Sequence, residues 1–374
     1  MVRQGNVGSA YDSAMAVTTF RTEPTTHPTS PARRAEILAE PGFGKFRTDH
    51  MLSIDWSPDS GWHDHRIEPY GPLSIDPSTA VLHYAQEIFE GLKAYRHADG
   101  SVWAFRPEAN AERFQRSARR LALPELPAEQ FIAALEALVA IDVDWVPAGG
   151  ENSLYLRPFM FASEVFLGVR PATAVRFMVI ASPAGPYFSG GLKPVSIWLS
   201  SNFTRAAVGG TGAAKCGGNY ASGLAAQLEA SEHGCDQVCF VDAAEHRMVE
   251  ELGGMNLYFV HADGRLVTPA LTGTILEGVT RSSILTLAKD LGLEPEERAV
   301  DVDEWRSGVA SGSITEVFAC GTAAVVTPVG RLVWDGGEVG GGPAGDVTLR
   351  IRQALIDVQY GRAADPHGWL RRIA

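Results

Sequence analysis

This chain of 374 residues predicts a mixed α/β fold, or α+β in its segregation of elements, built as two domains. Three observations carry that prediction. Its hydrophobic content of 45% is enough to build large cores. Apolar runs of strand length alternate with helical periodicity in both halves of the chain. A Pro/Gly-rich stretch at 182–194, with three prolines and three glycines in thirteen residues, separates the halves and reads as an interdomain linker.

Taken in order, residues 1–35 are rich in Thr, Ser, Pro and Ala without periodicity and read as a flexible leader. A smaller N-terminal α/β domain is expected over 36–181. It opens with the apolar alternation of 51–56, continues with helices at 109–123 and 127–143, and closes with strands at 154–161 and 175–180. A larger C-terminal domain is expected over 195–374, with strands at 195–200, 237–241, 255–260 and 316–319 and helices at 219–232, 280–291 and 346–360. In 219–232, Tyr220, Leu224 and Leu228 recur every fourth residue, which predicts one helix with these three on a single face, ended by Gly234. No internal repeat occurs, and ligand sites are favoured at the junction of the two domains.

Composition excludes several partner classes. A net charge of −12 disfavours nucleic acid and anionic membrane surfaces, which would repel the chain. No run of about twenty apolar residues marks a membrane span, and the polar amino terminus lacks a signal peptide's pattern, so a cytoplasmic protein is expected. Cys216, Cys235, Cys239 and Cys320 are too few and too irregular for a disulfide scaffold, and no CxxC pair is present for zinc. His63, Asp64 and His65 lack a second cluster to complete a metal shell and read as a solvated loop between Gly61 and Pro69.

The most chemically suggestive stretch runs from Gly209 to Tyr220, where Lys215 stands alone among small residues. Its nearest charged neighbours in sequence are Arg205 and Glu229. An amine held away from water gives up its proton more readily and becomes a nucleophile. Three possibilities coexist on these residues alone: a reactive amine, a structural lysine, and a Walker-type phosphate loop of a nucleotide hydrolase. The last fits poorly, because Ala214 replaces the glycine before the lysine and Cys216 the magnesium-binding Ser or Thr.

Longer motifs add a family likeness. KCGGNY (Lys215 to Tyr220), MVEELGGMNLYFV, TPALTGTILEGVTR and CGTAAVV follow one another as in the branched-chain amino acid aminotransferases, pyridoxal-phosphate enzymes of fold type IV. Upstream, GFGKFRTDHML, LHYAQEIFEGLKAY, FRPEANAERF, SLYLRPFMF and GPYFSGG resemble the same family, as does DVQYGR downstream. The likeness spans roughly 43–362 with the motifs in the family's order.

The resemblance implies pyridoxal 5′-phosphate as cofactor, with Lys215 as the catalytic lysine that carries it and shuttles the substrate proton. It implies that Glu251 faces the pyridine nitrogen, that Tyr220 bonds the phenolic oxygen, and that Arg113, with the amides of Val279 and Thr280, holds the phosphate. Thr322 and Ala323 match a second turn that holds phosphate or the substrate carboxylate. Phe43, Tyr84, Phe89, Tyr155 and Tyr187 match the enclosure of an aliphatic side chain, and Arg157 matches a donor for the γ-carboxylate of glutamate. The implied activity is ping-pong transfer of an amino group between L-leucine, L-isoleucine or L-valine and 2-oxoglutarate, by a homodimer with no metal. D-amino acid transamination and aminodeoxychorismate lyase chemistry are the nearest alternatives, and a non-catalytic, cofactor-storing protein is a further one. Two departures stand out: Gly254 lacks the hydroxyl some relatives place on the phosphate, and Ala324 and Thr327 replace a redox CxxC pair, leaving Cys216 or Cys320 as sources of thiol sensitivity.

Overall fold

The computed structural model describes residues 18–186, 192–340 and 343–374. Two nine-stranded sheets form its frame. The first is centred on the strands His50–Ser57, Val175–Ala184, Ser153–Ala162 and Leu92–Arg96, joined antiparallel in that order. The helices Pro107–Arg120 and Ala128–Ile141 cover one face of it. Their apolar residues recur at helical spacing, so Phe114 and Phe131 meet Phe177 of the sheet with ring centroids at most 6.0 Å apart. Each buried ring contributes roughly 2–3 kcal/mol of transfer free energy.

The second sheet runs Val249–Leu252, Gln237–Val241, Val195–Leu199, Val325–Trp334, Ile314–Gly321, Asn256–His261, Arg265–Pro269, Glu294–Arg298. The helices Val279–Asp290 and Asp346–Gln359 share a core with Tyr258 and Phe318. Trp305 of the helix Val302–Ser311 meets Phe259, the strand neighbour of Tyr258, edge-on at 5.1 Å. With a helix against each face, all six residues of Asn256–His261 are buried, which is why that strand reads as an unbroken apolar run.

The structure departs from expectation in five places. The leader is not featureless: Arg21–Thr22 pairs parallel with Gly61–Pro69, and a helix spans Pro31–Ala39, capped by the Ser30 hydroxyl. The stretch holding His63, Asp64 and His65 is a strand rather than a solvated loop, with the His63 ring against the carbonyl of Gly61 at 2.9 Å. The strand Val175–Ala184 continues three residues into the expected linker, of which 187–191, with Tyr187, lie outside the described residues. The helix expected at 219–232 is two, Gly217–Ala221 and Leu224–Glu232. The second turns Ala226 and Ala230, not the leucines, onto Trp198 and Phe240, since small side chains let the helix approach the sheet. Leu224 and Leu228 are left 64% and 68% exposed. Finally, the chain end returns to the first sheet: Leu370–Arg372 pairs antiparallel with Val102–Phe105.

That returning end is anchored by Ile373, buried in the first core, whose N–H donates to the Val102 carbonyl at 2.8 Å. Ile373→Ala is expected to cost about 2–5 kcal/mol, read as a lower urea midpoint at unchanged slope; an unchanged midpoint would show that the end contributes nothing.

Candidate active site at the junction of the sheets

A cavity of about 370 Å³ opens between the two sheets. Its lining brings together Phe43, Phe89, Arg113, Tyr155 and Arg157 from the first half of the chain with Lys215, Tyr220, Glu251, Val279, Thr280, Thr322 and Ala323 from the second. Tyr84 is not among them: it lies half-exposed on the short helix Ala80–Tyr84, its hydroxyl donating to the Leu167 carbonyl.

Lys215 sits where the glycine-bracketed turn passes into the helix Gly217–Ala221. Its backbone N–H donates to the Ser117 hydroxyl at 2.9 Å, and its carbonyl accepts the Phe89 N–H at 2.9 Å, so both halves of the chain fix it. Its Nζ lies 2.6 Å from the Tyr220 hydroxyl and 4.7 Å from the centre of the Phe89 ring. The turn needs glycine at 212, because a Cβ there would lie 2.3 Å from the Thr274 carbonyl. Arg120 occupies the carbonyls of Gly209 and Gly210, at 2.8 and 3.1 Å, which gives this loop a structural partner where a phosphate loop would have a ligand.

Two buried ion pairs frame the lysine. Arg113 meets both oxygens of Glu90, at 2.7 and 2.8 Å, and donates to the Glu277 carbonyl at 3.0 Å. Glu90 also accepts from Asn110 at 2.7 Å and from the Gly91 N–H at 3.2 Å. Arg205 lies 2.7 Å from Glu251, which further accepts the Leu276 N–H at 2.9 Å and Asn256 Nδ2 at 3.1 Å. Burial pushes the Glu251 carboxyl up to about 7, against the pull of Arg205 and the Leu276 amide. Sequence reasoning missed Glu90 and Arg205 as parts of the site. Glu90 stands within LHYAQEIFEGLKAY, and in sequence Arg205 is marked only by being the nearest charge before Lys215.

Across the cavity, Arg157 donates to the Tyr155 hydroxyl at 2.8 Å and stacks over Phe89 and Tyr155 at 4.8 and 5.2 Å. Its buried Nε has no hydrogen-bond partner among the described residues. The Phe43 ring meets Tyr155 edge-on at 5.1 Å. Gly278 opens the helix Val279–Asp290 without a side-chain cap, so the first amides of that helix are free of a capping group where it reaches the cavity. The turn at Thr322 and Ala323 is tied to the first sheet by Lys93, whose Nζ donates to the Ala323 carbonyl at 3.1 Å; burial lowers this ammonium to about 8. The Cys320 thiol is buried and pushed up to about 12 by that burial, which makes it a poor thiolate source.

Two curled sheets meeting at a lysine-centred cavity are the architecture of the class IV amino-transferases, and the model of that family matches residues 87–332. A Mycolicibacterium smegmatis branched-chain-amino-acid aminotransferase is 58% identical over 360 residues, covering 95% of this chain and 98% of that one. The crystal structure of the Escherichia coli branched-chain amino acid aminotransferase superposes with a TM-score of 0.72 at 30% identity, over 86% of this chain and all of that one. The enzyme from Thermobaculum terrenum, solved in its PLP form, gives 0.69 at 26% identity, over 87% of this chain and 98% of that one. The chain belongs to the branched-chain-amino-acid aminotransferases within the class IV family. That membership sets aside the nucleotide-hydrolase reading of the lysine turn.

A carboxyl that titrates near 4.5 in the unfolded chain and near 7 when folded binds more protons in the folded state across that interval. It therefore leaves stability untouched below the lower value and subtracts from it as pH rises toward the upper one. Between pH of about 5 and 8, the cofactor-free wild type should lose up to about 3 kcal/mol more than Glu251→Gln in urea unfolding; parallel pH slopes would refute the raised titration.

Proposed function

We propose that this chain is a pyridoxal-phosphate-dependent aminotransferase that moves the amino group between L-leucine, L-isoleucine or L-valine and 2-oxoglutarate. The carrying observation is the Lys215 amine 2.6 Å from the Tyr220 hydroxyl, in a cavity that also holds the buried carboxyl of Glu251. The activity in the names of the relatives supports the same reading.

The residues present fit the cofactor. An amine, a phenol and a buried carboxyl are the donor set its aldehyde, phenolic oxygen and ring nitrogen require. The cation of Arg113 and the uncapped helix start at Val279 and Thr280 supply what a phosphate requires. When bound, pyridoxal phosphate supplies an aldehyde that takes up the amino group and an electron-withdrawing ring that acidifies the adjoining C–H.

The protein's own groups do the rest. Lys215 Nζ, once free, takes the proton from the substrate Cα and returns it during the same half-reaction. Tyr220 Oη orients that amine through their shared hydrogen bond. Glu251, titrating near 7 and bonded to Arg205, holds or releases a proton toward the ring nitrogen. Phe43, Phe89 and Tyr155 form an apolar wall for a branched side chain, and the guanidinium of Arg157, which lines the same cavity, is the donor for the second carboxylate of glutamate or 2-oxoglutarate. Thr322 and Ala323, held by Lys93, receive the α-carboxylate. We assign the first sheet to a small domain and the second to a large one.

A homodimer belongs to this proposal. Leu82, Tyr84, Val165, Phe166, Leu167 and Val169 are large apolar side chains between 39% and 84% exposed, gathered by the Tyr84–Leu167 bond. Paired with a second copy, this patch would bring Tyr84 toward the partner's cavity, which accounts for its absence from its own. Four unpaired cysteines support a cytoplasmic setting, and no helix among the described residues is long and apolar enough to cross a membrane.

Adding L-leucine to the holoenzyme is expected to shift its long-wavelength absorbance to that of the amine form, with D-leucine inert and Lys215→Ala unresponsive. An unresponsive wild type, or an equally responsive variant, would sink the assignment. Val169→Asp should move the sedimentation of micromolar enzyme from dimer to monomer; an unshifted dimer would move the interface elsewhere.

A further inference from the structure

A second cavity, of about 530 Å³, shares no lining residue with the first. The two are joined by one strand. Glu250 and Glu251 are neighbours on Val249–Leu252, and the pleat sends them to opposite faces, Glu251 to the first cavity and Glu250 to the second. The second cavity is walled by Val208, Met248, Pro269, Ala270 and Ile275, a mainly apolar surface, and its volume is of the order used for small molecules.

Its polar groups are accounted for with one exception. Asp242 spends both oxygens on its own turn, accepting the N–H groups of Ala244, Glu245, Arg247 and Met248 at 2.7–3.1 Å. Glu245 is exposed to water. Thr272 and Thr274 bond each other at 2.7 Å, and the Thr274 hydroxyl donates to Glu250 Oε1. Glu250 Oε2 has no hydrogen-bond partner among the described residues, although the residue is only 5% exposed. An unmatched acceptor that deep is costly, and the cost is recovered when a donor reaches it.

The chemistry of the walls selects the donor. No Lys, Arg or His lines the cavity among the described residues, so an anion finds nothing to bind. A metal ion needs several free oxygens, and only one is offered. An apolar body carrying a single N–H cation matches both the walls and Oε2. We propose that this cavity is a binding site for a small aliphatic ammonium ion, held by an N–H bond to Glu250 Oε2 with its carbon groups against Met248, Pro269 and Ile275.

Calorimetric titration of the holoenzyme with triethylammonium chloride at constant ionic strength tests this. That ion has one N–H on an apolar body and cannot condense with an aldehyde. One saturable site per chain is expected. Tetraethylammonium, which has no N–H, should bind at least about tenfold more weakly. Glu250→Gln should weaken triethylammonium by a similar factor. So should Ala270→Leu, which fills the cavity and keeps the carboxylate, and which decides the matter if Glu250→Gln does not fold. The absence of a saturable heat, affinity unchanged by the substitutions, or displacement by 4-methylpentanoate, an unreactive occupant suited to the first cavity, would each overturn the proposal.

Discussion

Charge compensation out of water is the constraint around which this site is organised. Glu90, Arg113, Arg205 and Glu251 are all buried, and a buried charge deprived of its partner costs several kcal/mol. Each must therefore stay where its counter-charge is. The Glu90–Arg113 pair fixes the helix Pro107–Arg120 to the segment that carries Phe89, and through the Glu277 carbonyl it reaches the start of Val279–Asp290. The Arg205–Glu251 pair fixes the strand Val249–Leu252 against the lysine turn, because Arg205 also donates to the carbonyls of Gly212 and Thr274, at 3.3 and 3.0 Å. Hydrophobic packing builds each sheet, and these two pairs set the spacing of the segments that meet in the cavity.

Arg157 shows how one surface can have two chemical characters. A guanidinium is flat, weakly hydrated on its faces and a donor along its edge. Stacked against Phe89 and Tyr155, it extends their apolar wall with its faces, while its Nε edge remains unsatisfied. One side chain thus combines an apolar face with a polar edge at the wall of the cavity.

Legibility in the sequence followed burial. Strands such as Asn256–His261, covered on both faces, read as apolar runs, and the helices over the first sheet showed their periodicity through Phe114, Phe131 and their neighbours. Lys215 was legible from its local isolation, and most other cavity residues only through motif likeness. What stayed hidden was long-range. Glu90 and Arg113 are 23 positions apart, and a lone charge in sequence reads as solvated until its partner is known. The helix at 219–232 misled because the spacing of its leucines looked like a buried face, while packing chose the alanines. Tyr84 lies with the exposed apolar patch, and nothing in its motif separates a cavity aromatic from a surface one. The strand at Leu370–Arg372, mostly basic and three residues long, carries no local sign of its pairing.

That last strand also imposes an order on biosynthesis. A nascent chain emerges from its amino end, and domains ordinarily fold as they appear. Here the outer neighbour of Val102–Phe105 is not made until residue 370. The first sheet therefore waits, with an open edge, through the synthesis of the entire second one. Any product that stops short of residue 370 retains a bare strand that a second nascent copy could join.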